Sequence, residues 1–170
     1  MLIVFTGNGK GKTTAALGCA MRALGQGKRV LVIQFIKSGQ ISGENKFAAK
    51  FHIPISKFQI ISAGKGFVKI SDPAAQQAGY GASKIPFSVH KKAAENALRL
   101  AKKEIKSRKW DLVVLDEINV AMNLKLVKVS DVLKILKLVQ KNIDIILITH
   151  EHGDHLHIES LKDLIANKEE

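Results

Sequence analysis

The stretch Val4-Phe5-Thr6-Gly7-Asn8-Gly9-Lys10-Gly11-Lys12-Thr13-Thr14 constrains this chain more than any other. It closes the apolar run Leu2–Thr6 and opens a segment of small and apolar residues, Thr13–Leu24. A strand, a glycine-rich turn and a helix in that order make a phosphate cradle. The glycines let successive backbone N–H groups converge on phosphate oxygens, and the helix N-terminus adds partial positive charge. Lys12 is placed to neutralise phosphate charge and the Thr13 hydroxyl to ligate Mg²⁺. The loop departs from the common G-x-x-x-x-G-K-[ST] pattern at its first position, which is Thr6, so that its first glycine is Gly7.

Four further apolar runs, Val30–Phe35, Phe58–Ile61, Leu112–Leu115 and Ile143–Thr149, are rich in Val, Ile and Leu without polar alternation. Such runs are strands buried on both faces. Between them the residues repeat with helical period. Thr13–Leu24 reads as a buried helix that stops at Gly25-Gln26-Gly27. Val89, Ala93, Ala97, Ala101 and Ile105 line one face of a helix whose other faces carry Lys91, Lys92, Lys102, Lys103 and Lys106. Ser130-Asp131 can cap a helix with the stripe Val132, Leu133, Leu136 and Val139. A last helix is expected from about Ile158 to Ile165. The alternation predicts a single α/β domain over residues 1–170, with a mostly parallel central sheet and helices on both faces. With the cradle after its first strand, such a domain resembles the P-loop NTPase (RecA-like) folds. The least regular region is Lys37–Phe87, which holds all three prolines and is where a second ligand is expected.

Lys and Arg number 27 against 15 Asp and Glu, a net charge of +12 that suits polyanionic partners such as nucleotides. Cys19 is the one cysteine, which excludes an intramolecular disulfide and fits a reducing, cytoplasmic setting. No apolar run approaches the roughly 20 residues of a membrane span. Met1–Phe5 lacks the charged start and cleavage site of a signal peptide.

A phosphate cradle needs an acidic strand end beside it, and Val113-Val114-Leu115-Asp116-Glu117 supplies one. Asp116 is the natural Mg²⁺-side carboxylate, ligating directly or through water. Glu117 can ligate the metal, orient a water or meet the second substrate. Asp116 could also cap the helix that follows, a role compatible with metal binding.

The residues around the cradle are more specific than the cradle itself. Phe5 to Ala16, Gln34-Phe35-Ile36-Lys37, Gly43-Glu44 and Asp116-Glu117-Ile118-Asn119-Val120-Ala121 resemble, in residues and spacing, the phosphate-loop ATP:corrinoid (cob(I)alamin) adenosyltransferases, over most of the chain to about Ile148. The resemblance implies transfer of the adenosyl group of ATP to a reduced Co(I) corrinoid, with triphosphate leaving. It implies that Gly7, Asn8, Gly9, Lys10, Gly11, Lys12, Thr13 and Thr14 hold the triphosphate and that Arg22 lies near the nucleotide. Lys12, Thr13 and Glu117 would act on the leaving group, with Mg²⁺ held by Thr13 and by Asp116 or Glu117. Glu44 and Phe67 would fall on the corrinoid side, Phe67 packing on the corrin and helping to exclude the lower cobalt ligand. A homodimer and a reductant protein are the implied partners. The sequence departs from the family pattern at Lys69, where a tryptophan is usual, and at Glu151, where an arginine is. It begins at its first strand, ahead of which relatives often carry a helical extension.

Two other readings compete. A nucleic-acid-binding ATPase would use the positive charge, but aromatic residues that could stack bases make up only 5% of the chain. A non-catalytic nucleotide-binding regulator would keep the cradle alone. The run Thr149-His150-Glu151-His152-Gly153-Asp154-His155-Leu156-His157 resembles the metal signature of metallo-β-lactamase-type hydrolases. That architecture needs ligands far downstream, and only 15 residues follow His155. A surface metal site or a polar loop beside the nucleotide remains open for it. His52 and His90 are isolated and read as surface or helix-facing residues.

Overall fold

In the computed structural model, residues 1–7, 9–39, 42–66, 68, 85–138 and 143–148 are described. The strands are β1 (Leu2–Phe5), β2 (Val30–Gln34), β3 (Phe58–Ser62), β4 (Leu112–Asp116) and β5 (Asp144–Ile148). They form one sheet in the order β1-β5-β4-β2-β3, and every pairing in it is parallel. The helices are α1 (Lys12–Gly25), α2 (Gly43–Lys50), α3 (Phe87–Lys106), α4 (Ile118–Asn123) and α5 (Val129–Leu136).

Side chains alternate across a strand, so each apolar run feeds two cores. Leu31, Ile33, Val113, Leu115, Ile145 and Leu147 pack with Ala94, Ala97, Leu98, Ala101 and Ile105 of α3 and Val132, Ile135 and Leu136 of α5. Val30, Val32, Val114 and Ile146 pack on the opposite face with Ala16 and Ala20 of α1. Each Leu or Ile buried this way stabilises the fold by about 1.5–3 kcal/mol.

The helices differ from the sequence reading in instructive ways. Helix α1 is not buried all round: Ala16 and Ala20 are buried, whereas Met21 is 66% exposed. Its small residues bring one face close to the sheet rather than filling an interior. Helix α5 starts after Lys128, which has no side-chain cap, so Ser130 and Asp131 lie inside its first turn. There Asp131 favours the positive end of the helix and pairs with Lys134 at 3.1 Å. Along α3 the stripe Ala93, Ala97, Ala101 and Ile105 is buried as the period predicts, but Val89 is exposed and His90 is buried, its imidazole pKa lowered by that burial. Helix α2 was not foreseen within the irregular region, although Ser42 caps it by accepting from the Asn45 backbone N–H. Val139 and the expected helix near Ile158–Ile165 lie outside the described residues.

The exits of β2 and β3 are fastened together. The Ala63 N–H donates to the Gln34 carbonyl at 3.0 Å and the Gly66 N–H to the Ile36 carbonyl at 2.8 Å. A Cβ on Gly64 would stand 2.1 Å from the Ile36 oxygen, so only glycine permits this approach.

At the opposite edge of the sheet, Arg29 grips Asp111 through its backbone N–H at 2.8 Å, Nε at 3.0 Å and Nη2 at 3.0 Å. These hydrogen bonds hold the Asp111 carboxyl down at about 2, against an ordinary 3.8. A depressed carboxylate contributes stability above its unfolded pKa and loses it as pH falls toward the folded value. Asp111→Asn should therefore flatten the fall in urea midpoint between about pH 4 and pH 2; an unchanged acid limb would show that the pair contributes nothing.

Candidate functional site

The strand register sets the site. Gln34 is the partner of Asp116 across β2 and β4 and of Ser62 across β2 and β3, so three polar side chains stand at the carboxyl ends of adjacent strands. In open parallel sheets this is the edge where ligands bind. The phosphate loop leaves β1 at the same edge, with Gly7, Gly9 and Gly11 at φ 123°, 85° and 107°. Those left-handed conformations suit glycine and turn the loop into the open first turn of α1. Lys12 crosses back over the loop, its Nζ donating to the carbonyls of Gly7 and Gly9 at 2.6 Å each. Its ammonium is therefore held in place before any ligand arrives.

Asp116 is wholly buried and accepts from three side chains. Its Oδ1 accepts from Thr13 Oγ1 at 3.1 Å. Its Oδ2 accepts from Gln34 Nε2 at 3.2 Å and from Lys37 Nζ at 3.1 Å. The same two donors reach Glu44 Oε1 on α2, at 2.8 Å and 3.0 Å. Ser62 Oγ donates to Gln34 Oε1 at 2.7 Å, and Asn45 Nδ2 donates to Ser62 Oγ at 3.3 Å. This relay fixes the Gln34 amide with its NH₂ toward the carboxylates.

Charge within the cluster is balanced against burial. Burial pulls the Lys37 ammonium down, but Asp116 and Glu44 outweigh it and the net shift is upward. Burial pushes Glu44 up, but its backbone hydrogen bond, Lys37 and Gln34 bring it below its ordinary value. Glu117 goes the other way: burial first, then the neighbouring Asp116 charge, push its carboxyl up to about 7. Glu117 sits at φ 61°, an unfavourable conformation for a side chain of its size and one concentrated at functional sites. The Lys37 backbone N–H supports its carboxylate, while Oε2 is buried with no hydrogen-bond partner among the described residues.

The unpartnered Glu117 oxygen, the neighbouring Asp116 carboxylate and the Thr13 hydroxyl bonded to it are the hard oxygen donors that Mg²⁺ prefers, so the residues present fit that ion. Asp116 ends β4 and the residue ahead of α4 is Glu117, without a side-chain cap, so Asp116 does not serve as the helix cap.

The structure thus brings together Gly7, Gly9, Lys10, Gly11, Lys12, Thr13 and Thr14 at the start of α1, with Asp116, Glu117 and Glu44 close by. It does not bring Arg22 there. Arg22 lies ten residues along α1 from Lys12, about 15 Å at the helical rise, and lines a hollow with Met1, Asp111 and Asp144 at the opposite sheet edge. Asn8, Phe67, Lys69 and the His150–His157 run lie outside the described residues. Among the described residues no group of three or more His, Cys, Asp or Glu side chains is arranged to hold a metal. No described helix is long and apolar enough to cross a membrane.

Gln34, Lys37, Ser62 and Asn45 were missed as site residues by sequence reasoning. A polar residue closing an otherwise apolar strand, as Gln34 closes β2, was the available signal. Asn119, fully buried with neither amide atom partnered among the described residues, gave no such signal.

A model of the family described as ATP:corrinoid adenosyltransferase BtuR/CobO/CobP matches residues 1–167. A corrinoid adenosyltransferase of Sinorhizobium sp is 29% identical over 169 residues, which cover 99% of this chain and 72% of the relative. That of Pseudomonas aeruginosa is 34% identical over 122 residues, covering 72% of this chain and 52% of the relative. That of Escherichia coli K12 is 50% identical over 64 residues, 38% of this chain and 31% of the relative. The chain thus spans about half or less of the length of the last two. Among solved structures, the KaiC-like protein PH0186 of Pyrococcus horikoshii OT3 superposes with a TM-score of 0.57 at 16% identity, over 96% of this chain and 68% of that one, a likeness of fold alone. With the cradle, the acidic strand end and a family match from residue 1 to 167, the chain belongs to the ATP:corrinoid adenosyltransferase family.

Proposed function

We propose that this protein transfers the 5′-deoxyadenosyl group of ATP to the cobalt of a reduced Co(I) corrinoid and releases triphosphate. The observation that carries the reading is the 3.1 Å contact between Thr13 and Asp116, which joins the phosphate cradle to the acidic strand end in a chain of this family. The electron pair comes from cobalt, so no protein nucleophile is required. Cobalt bonds to the ribose 5′ carbon as the bond from that carbon to the α-phosphate oxygen breaks, and the electrons leave with triphosphate. The protein's task is to align the 5′ carbon and to stabilise charge on the leaving group.

Backbone N–H groups of the loop from Gly7 to Thr14 hold the triphosphate, and Asn8 and Lys10 take part in binding the nucleotide. Lys12, pinned across the loop by two carbonyls, presents its charge without further ordering. Thr13 with Asp116 and Glu117 would hold Mg²⁺, which would supply positive charge to offset that of the departing triphosphate. Glu44 and Phe67 belong to the corrinoid side, and Glu44 is tied to the nucleotide side by Gln34 and Lys37. The functional form is a cytoplasmic homodimer served by a reductant protein. Exposed Phe47 and Phe51, whose rings lie 4.6 Å apart, support a covered surface on α2.

Two outcomes test this reading. Amides are poor ligands for a hard dication, so the double variant Asp116→Asn, Glu117→Gln should lose its Mg²⁺ dependence together with most turnover. An unchanged magnesium titration would show these residues to be a helix start and nothing more. Chromatography of the phosphate products should find intact triphosphate, formed only with reduced corrinoid. Steady ADP and orthophosphate indifferent to corrinoid would overturn the reading.

A further inference from the structure

The Lys37 ammonium stands where a cation belongs. It lies 3.1 Å from Asp116 Oδ2 and 3.0 Å from Glu44 Oε1, and its own backbone N–H supports Glu117. Its position is not left to a mobile surface stem. Phe35 and Ile36 before it are buried, the Phe35 N–H donates to the Asp116 carbonyl at 3.0 Å, and Ser38 after it bridges to Ala63. The backbone is thus clamped on both sides, and the side chain has only its own rotamers with which to move.

Resting on the adenosyltransferase reading and deepening it, the geometry points to Lys37 as the site's resident counter-cation, a positioning residue that makes metal binding depend on the nucleotide. In the chain without nucleotide, the one ammonium is shared between Asp116 and Glu44 and offsets one of their two negative charges. A dication arriving alone between Thr13, Asp116 and Glu117 must then approach a fixed positive charge a few ångströms away. ATP changes that balance, because its phosphates bring several negative charges and offer the ammonium new acceptors. Lys37 can leave Asp116 Oδ2, keep Glu44, and turn toward the triphosphate. Like charges at such separations repel even where solvent screens them, and the carboxylates offset only part of that repulsion, so the effect on metal affinity is large enough to measure. Gln34 stays on Asp116 throughout, since Ser62 fixes its amide.

The test is Mn²⁺ binding followed by electron paramagnetic resonance, at one fixed pH, without and with a non-transferable ATP analogue. Wild type should bind Mn²⁺ weakly alone and much more tightly with the analogue. Lys37→Met should bind Mn²⁺ alone on the order of tenfold more tightly than wild type, and so lose most of the nucleotide dependence. Lys37→Arg, which keeps the charge, should resemble wild type. Lys37→Gln, which keeps a polar head to satisfy the carboxylates, should follow Lys37→Met and serves if the methionine variant does not fold. A role that merely holds Asp116 in place predicts the reverse, weaker metal binding in the neutral variants. Binding in Lys37→Met and Lys37→Gln that is equal to or weaker than wild type overturns the proposal. The measurement uses no corrinoid, so failure of adenosyl transfer in the wild type would register separately, as absence of a cobalt–carbon product.

Discussion

One buried carboxylate organises this molecule's functional edge. Asp116 is fully buried, and three side chains from three different segments donate to its two oxygens: Thr13 from α1, Gln34 from β2 and Lys37 from the exit of β2. A buried charge is tolerated only when it is paired and hydrogen-bonded, and removing one donor leaves an unmet group that costs about 1–3 kcal/mol. The carboxylate therefore dictates where the phosphate loop, the β2 exit and, through Glu44, helix α2 must lie relative to one another.

The parallel sheet makes this possible. Parallel register places Gln34 level with Asp116 on one side and with Ser62 on the other, so polar residues that close apolar strands meet at one edge. The core below is built from residues alternating between two faces, with α1 and α3 approaching through alanines. Charge at the opposite edge serves a different purpose: Arg29–Asp111 and the Met1 ammonium with Asp144 tie strand beginnings together.

Much of this was legible in the sequence for identifiable reasons. The central strands β2, β4 and β5 are the runs of Val, Ile and Leu that double burial requires, whereas β1 and β3 stand at the sheet edges and are mostly only half-buried, a difference that strand order decides. The loop from Gly7 to Thr14 carries its chemistry in its glycines and its lysine. Asp116 and Glu117 were legible because an acidic pair directly follows such a run. Helix α2 was not, because its one clear signal, the cap at Ser42, lies between Gly39 and Gly43, which suggest irregular chain. The Gln34–Ser62–Asn45 relay was invisible because it depends on register between strands far apart in sequence. Arg22 could be placed on a helix from its sequence context, but which end of the sheet that helix turn would reach required the fold.

The central claim is that this edge joins the 5′ carbon of ATP to cobalt, and labelling that carbon tests it most directly. ATP carrying ¹³C at the ribose 5′ position should be incubated with the protein, Mg²⁺ and a chemically reduced corrinoid, and the products followed by ¹³C NMR. The account predicts that the label moves from an oxygen-bonded to a cobalt-bonded carbon, and that conversion falls steeply in Asp116→Asn. Label that remains bonded to oxygen while phosphate is released would contradict it.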